Sequence, residues 1–222
     1  MAELGERFVE ANGLRFHVRT CEPEAGAADG RVALLLHGFP ECAFSWRYQL
    51  PLLARLGWRA WAPDLRGYGQ SDRPARVEDY AVERLLAAND YRAIREAFRG
   101  MARDPSRFPD EVLAVYRDQA ARPGALTAMV HYYRALFRGG ARRQRALGYP
   151  VIDVPTLLLW GEEDRALGLE TLQGTERYVS DLTLRTLPGV SHWVQQEAPE
   201  QVNAMLEAWL LGKPVPQAAE LR

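Results

Sequence analysis

The segment Val32-Ala33-Leu34-Leu35-Leu36-His37-Gly38-Phe39-Pro40 decides the fold. Its five apolar residues in unbroken succession fit a strand buried on both faces, the pattern of a parallel sheet, and the run stops at His37-Gly38. Downstream, Pro51 can open a helix carrying Leu52, Leu53 and Leu56, with Gly57 as its stop, and residues 58–62 read as the next strand before Pro63-Asp64. Strand, helix, strand is the start of a βαβ unit. Upstream, residues 7–11 and 14–18 alternate in character and are split by Asn12-Gly13, a strong two-residue hairpin signal, so an antiparallel hairpin is expected at the sheet edge. A turn-rich stretch from Gly26 to Gly30 joins the two regions.

From Tyr80 to about Phe137 the strand signal vanishes and helical spacing takes over: Leu85, Leu86, Ile94 and Phe98, then Val112, Val115 and Tyr116, then Met129, Val130, Tyr133 and Phe137. Pro109 and Pro123 suit first helical turns, and the block reads as an all-helical insert. Strands return at residues 156–160 and 182–187, separated by an expected helix around 169–178. An amphipathic helix closes the chain, with Val202, Met205, Leu206, Trp209 and Leu210 on one face between Pro199 and Gly212. The last ten residues, 213–222, hold two prolines and are expected to be loose. Strands alternating with helices argue an α/β protein with a mostly parallel sheet, and the helical block reads as a lid inserted between two halves of it. There is no internal repeat or low-complexity tract.

Composition narrows the function classes. A chain of 222 residues with 47% apolar content can bury a sizeable core. Its 28 basic and 29 acidic residues leave a net charge of −1, so no field for holding nucleic acid or an anionic membrane is expected. The basic residues are arginines except Lys213, and the tightest cluster, Arg142, Arg143 and Arg145, reads as a solvated helix face. Two cysteines, Cys21 and Cys42, match no metal spacing and point to a reducing compartment. The N-terminus lacks the pattern of a signal peptide and no apolar run approaches the ~18 residues of a membrane span, so a soluble cytoplasmic protein is expected.

Three loops lie just past the carboxyl ends of expected parallel strands, where α/β sheets place their ligands: His37-Gly38-Phe39-Pro40, Gly161-Glu162-Glu163-Asp164 and Pro188-Gly189-Val190-Ser191-His192-Trp193. An acid after one strand and a histidine 28 residues later, after the next, is the order in which a carboxylate orients an imidazole acting as general base. Taken singly, His192 reads as structural and Asp164 as a turn or helix-start residue; together with the apolar strands and the first loop they point to catalysis.

These motifs carry a resemblance. His37-Gly38-Phe39-Pro40-Glu41 with Ser45-Trp46-Arg47-Tyr48-Gln49, Asp64-Leu65-Arg66-Gly67-Tyr68-Gly69-Gln70-Ser71-Asp72, residues 158–164 and residues 188–193 resemble the soluble epoxide hydrolases of the α/β-hydrolase superfamily. His131-Tyr132-Tyr133-Arg134 is similar to the end of that family's cap domain, and the likeness spans about residues 5–212. It implies an α/β-hydrolase-like, mostly parallel sheet with an N-terminal hairpin and a helical cap. The implied division is 1–80 and 151–212 as two parts of the core, 81–150 as a cap remnant and 213–222 as tail. In that family an aspartate attacks an epoxide carbon, cap tyrosines hydrogen-bond the epoxide oxygen, and a histidine paired with an acid activates water against the resulting ester. By resemblance Asp164 is the orienting acid, His192 the base and Tyr133 a cap tyrosine, while the Phe39 N–H serves the oxyanion and His37, Gly38 and Pro40 shape its loop. Trp46 and Trp193 are candidates for the substrate pocket, with core packing the other reading. No cofactor or metal is implied, and the partner is a small apolar substrate; oligomeric state is not legible.

One piece is missing. The family's nucleophile sits on a Gly-x-Asp-x-Gly-like elbow, or Gly-x-Ser-x-Gly in esterase relatives, and this sequence contains neither. After Leu85-Leu86 the chain passes at once through Ala87-Ala88-Asn89-Asp90-Tyr91 into what resembles cap helix. The absent material amounts to two strand-helix units, on the order of 60–80 residues, including two central strands. Three readings follow: an epoxide-hydrolase-like enzyme adding water through the histidine and acid, a catalytically silent remnant or ligand-binding pseudoenzyme, and a haloalkane dehalogenase or esterase relative. Asp64, Asp72, Asp90 and Ser45 are poor substitutes for the nucleophile.

Overall fold

The computed structural model describes residues 4–24, 30–73 and 81–221. Residues 25–29 of the expected turn-rich stretch and Tyr80 lie outside them. The chain forms two compact units: residues 1–99 with 108–133, and residues 100–107 with 134–222.

In the first unit, β1 (Leu4–Ala11) and β2 (Leu14–Cys21) pair antiparallel with Ala11 opposite Leu14. The two-residue turn needs positive φ at both positions, and Asn12 (51°) and Gly13 (71°) supply it. β3 (Val32–Leu34) leads through α1 (Gln49–Arg55) to β4 (Arg59–Pro63), and β3 and β4 are parallel, as expected of a βαβ unit. The sheet order is β1-β2-β4-β3, so β3 is an edge strand. This corrects the expectation of a strand buried on both faces: with β4 as its only strand neighbour among the described residues, β3 leaves Val32, Leu34 and Leu36 each more than half exposed, while Leu35 is buried.

Helices make up the rest of this unit. α2 (Ala81–Met101) carries a break: Ala88 is extended, and Asn89, Asp90 and Tyr91 all have left-handed backbone, φ 53°, 55° and 57°. α3 (Asp110–Ala121) and α4 (Ala125–Ala135) follow. Ile94, Phe98, Phe108, Leu113, Tyr116 and Met129 are fully buried, with Phe98 and Tyr116 stacked at 4.3 Å between ring centroids. α4 approaches the loop after β4 closely: a Cβ on Gly67 would lie 2.4 Å from the Ala128 Cβ. A glycine with φ +91° is required there.

In the second unit, α5 (Ala141–Leu147) presents Arg142, Arg143 and Arg145 to solvent. β5 (Thr156–Gly161) and β6 (Leu182–Leu187) form a separate two-stranded parallel sheet. The helix expected around 169–178 is instead two single 3-10 turns, Leu169–Leu172 and Thr175–Arg177, because Gly174 between them takes φ +84° and ends any helical run. α6 (Val194–Glu197) and α7 (Pro199–Leu210) follow β6. Leu187, Val190, Val202 and Met205 form the core of this unit with Leu157, Leu159 and Trp209 against them. The tail is docked rather than loose: Val215 and Ala218 join that core, and the Arg185 guanidinium donates to the carbonyls of Val215 at 2.7 Å and Pro216 at 3.2 Å. The tail's prolines do not loosen it, because a half-buried arginine gathers its backbone carbonyls.

Candidate active site

The chemistry-bearing loops follow the ends of β3, β5 and β6. In the first unit, His37 fixes the loop after β3. A carbonyl can only accept, so the contact of 2.8 Å to the Gly38 oxygen makes Nδ1 the donor, and Nε2 accepts the Leu65 N–H at 3.0 Å. Both bonds require neutral imidazole, and burial holds the His37 pKa below its ordinary value. The Gly38 N–H is taken by the Glu41 carboxylate at 3.2 Å, whereas the Phe39 N–H makes no hydrogen bond among the described residues. The Phe39–Pro40 peptide is cis. The Phe39 ring meets Tyr133 edge to face at 5.2 Å. Tyr133 is 44% exposed, and partial burial pushes its phenol up. Its neighbour Tyr132 donates to the Arg66 carbonyl at 3.1 Å, which ties α4 to the loop after β4. Trp46 ends a 3-10 turn, Ala43–Trp46, and is half-buried.

A buried polar cluster supports this loop. Asp64 accepts His17 Nδ1 at 2.9 Å and the backbone N–H groups of Ala43 at 2.9 Å and Gln70 at 3.1 Å. Burial alone would raise the Asp64 carboxyl, but these donors outweigh it and hold the group below its ordinary value; the same bond to Asp64 raises His17 against the opposing pull of burial. Sequence reading missed His17, which shows only as one polar residue in an alternating strand.

In the second unit the loops after β5 and β6 touch backbone to backbone. A Cβ on Gly161 would lie 2.1 Å from the Ser191 carbonyl, and the Glu163 N–H donates to Val190 O at 3.0 Å. This contact brings Asp164 and His192 together. Asp164 Oδ1 caps the turn by accepting the N–H groups of Ala166 at 2.8 Å and Leu167 at 2.9 Å, which leaves Oδ2 for His192 Nδ1, also at 2.8 Å. The carboxylate side chain is 5% exposed and the imidazole 29%, so a buried acid orients a ring that still reaches solvent. With Nδ1–H donated to Asp164, Nε2 is the basic, lone-pair-bearing nitrogen. The His192 and Trp193 rings meet at 4.9 Å, and Trp193 itself is 2% exposed, packed inside the unit.

Glu197 was also missed. Buried at the end of α6, it accepts hydrogen bonds from Ser191 and from the backbone of Arg103 and Asp104. The signal that marks it is an acid directly ahead of the Ala198-Pro199 helix opening, where a solvated side chain would be the ordinary reading. Among the described residues no group of His, Cys, Asp and Glu could hold a metal ion, and no helix is long and apolar enough to cross a membrane.

The family model of the alpha/beta hydrolase fold matches residues 32–101. The chain is 26% identical over 286 positions to the AB hydrolase superfamily protein YfhM of Bacillus subtilis, covering 92% of this chain and 97% of that protein. It is 26% identical over 289 positions to Epoxide hydrolase 2 of Caenorhabditis elegans, covering 92% and 79%. Since 92% of 222 residues is about 204, roughly 80 of the 286 positions aligned with YfhM have no counterpart in this chain. The crystal structure of epoxide hydrolase A from Mycobacterium thermoresistibile matches in fold with a TM-score of 0.76 at 24% identity, over 96% of this chain and 100% of that one. The chain therefore carries an α/β-hydrolase-like fold, and its sequence is similar to those of epoxide hydrolases.

Proposed function

We propose that this chain retains the water-activating half of an epoxide-hydrolase site and has lost, by an internal deletion, the elbow that would carry the nucleophile. The observation that carries the reading is the His192–Asp164 pair, 2.8 Å apart, on loops after two parallel strands. His192 Nε2 takes a proton from water as the water oxygen attacks an epoxide carbon; the C–O bond breaks and the epoxide oxygen is protonated, giving a diol. By resemblance the substrate is a small apolar epoxide. Without a covalent intermediate the reaction is not divided into two easier steps, so turnover is slow.

Four observations support the deletion: the sequence has no elbow motif; roughly 80 positions of a full-length relative are unmatched; β3 is an open edge; and three consecutive non-glycine residues take left-handed backbone at residues 89–91. A left-handed run costs about 1–2 kcal/mol per residue and normally occurs singly. It falls where the sequence passes directly from the first core segment to the cap. The candidate substitutes are all committed elsewhere. Asp64 is sealed by three donors, Asp72 accepts the Arg15 N–H at 2.7 Å, Asp90 pairs with Arg117, and Ser45 is buried against the Tyr116 hydroxyl at 3.1 Å. The division into core parts 1–80 and 151–212 and a cap remnant 81–150 belongs to the same reading. So does a cytoplasmic location, with Cys21 and Cys42 both free and buried.

The same deletion favours a second reading, a pocket that binds without turnover. Purified protein incubated with a chromogenic styrene-oxide analogue, alongside His192→Ala, separates the two. Turnover abolished by the substitution supports hydrolysis; binding without turnover, or turnover indifferent to His192, overturns it.

A further inference from the structure

We propose that Glu197 is a positioning residue for His192, an inference that rests on the reading of the His192–Asp164 pair as the water-activating group. Its carboxylate is buried and fully engaged. Oε2 accepts both the backbone N–H of Ser191, at 3.1 Å, and the Ser191 hydroxyl, while Oε1 accepts the N–H groups of Arg103 at 2.7 Å and Asp104 at 2.9 Å. Four donors match the four lone-pair directions of an ionised carboxylate, and no cation pairs with it among the described residues. An acid held only by dipoles in this way serves geometry rather than charge balance.

The geometry it serves is that of Ser191, the residue immediately before His192. Ser191 is 1% exposed and gripped from two sides. The Gly161 backbone closes on its carbonyl, so that a Cβ there would sit 2.1 Å away, and Glu197 holds its N–H and hydroxyl. Gly161 begins the loop that delivers Asp164. The Ser191 peptide is therefore clamped between the loop of the acid and Glu197, and the 2.8 Å bond from His192 to Asp164 depends on where that peptide stands. A displacement of an ångström carries such a bond out of hydrogen-bond range. Glu197 also fastens residues 103–104, at the exit of α2, to the histidine loop through its other oxygen.

Glu197→Gln tests this with almost no change of shape, because its amide NH2 must face one of two donor pairs and turns an acceptor into a donor–donor clash. The readout is the His192 Nδ1 proton by NMR, which resonates far downfield when hydrogen-bonded to a carboxylate; the chain has four histidines, and His192→Gln assigns the signal. Loss or a marked upfield shift of that signal in Glu197→Gln, with the His17 signal unmoved, is the expected result. An unchanged His192 signal overturns the proposal. Ser191→Ala removes only the hydroxyl donor and keeps the test decisive if Glu197→Gln does not fold: the signal should shift upfield, and a signal identical to wild type overturns the proposal. Asp164→Ala separates the two levels of the argument. If it leaves the signal in place, the His192–Asp164 reading itself fails; if it removes the signal while both other variants keep it, only the role of Glu197 fails.

Discussion

Replacing Tyr91 by glycine and by alanine asks whether α2 is one helix or two segments joined by a strained splice. Tyr91 stands at φ 57°, ψ 32°, the third left-handed residue in succession. Comparing Gly with Ala at this site cancels the loss of the tyrosine side chain and leaves the backbone contribution. In left-handed backbone a Cβ costs about 1–2 kcal/mol, against about 0.5–1 kcal/mol of extra chain entropy for glycine, so Tyr91→Gly should be the more stable variant by about 0.5–1 kcal/mol. In an unbroken helix glycine is the less stable by about 1 kcal/mol. The two structures therefore predict opposite signs. Ala93→Gly, two residues on in regular exposed helix, is the control and should lose about 1 kcal/mol. Urea unfolding followed by far-UV circular dichroism measures the difference, and in thermal melts each kcal/mol corresponds to about 2–4 °C for a chain of this size. If Tyr91→Gly is less stable than Tyr91→Ala by about as much as Ala93→Gly is below wild type, the helix runs through unbroken. The deletion then loses the support of the left-handed run.

Gly161→Ala should destabilise by more than about 2 kcal/mol and abolish the His192–Asp164 bond, because its Cβ meets backbone oxygens at 2.1 and 2.5 Å; Gly189→Ala, with φ +74° and nothing within 4 Å, should cost only about 1 kcal/mol, and equal losses in denaturant melts would refute the clamp. His17→Gln should reveal a pH window. The raised His17 contributes stability that is full below 6.5 and fades as pH rises through its folded value, while the lowered Asp64 contributes stability present above 3.8 and lost on acidification. The loss caused by His17→Gln is therefore greatest between these limits, about 3–5 kcal/mol as for one partner of a buried pair, and smaller at pH 9; a loss that grows with pH would refute the assignment.

How far the sequence could be read depended on whether each signal was local. The hairpin was legible because Asn12-Gly13 is complete in itself, and Asp164 and His192 because each follows its own strand. The run 32–36 was misread in burial: five apolar residues look the same whether a strand has one neighbour or two, and the neighbour is set by chain far away or absent. Apolar spacing over 169–178 does not register Gly174, whose left-handed backbone ends the helix, and the tail's prolines do not register Arg185, some thirty residues earlier, which holds it. His17 and Glu197 were invisible for the same reason. Each is one polar residue in an ordinary pattern, and its partners are 47 residues away for His17 and 93 and 94 for the backbone of Asp104 and Arg103.

The distribution of intact and broken structure bears on what the chain can still do. In a parallel sheet each strand hydrogen-bonds its neighbours, so removing strands leaves an edge on either side of the gap but does not disturb contacts within each remaining piece. The two units follow that rule. The polar cluster of His17, Asp64 and Ser71 closes within the first, and the Asp164, His192 and Glu197 network closes within the second. On the proposed deletion, chemistry that depends on one unit alone, such as the orientation of His192 by Asp164, persists as local geometry. Chemistry that would need a further carboxylate does not find it in Asp64, Asp72 or Asp90, each of which is committed to its own partners. At the edge strand β3, Val32, Leu34 and Leu36 are each more than half exposed, so these apolar side chains contribute less by burial than they would in a strand covered on both sides.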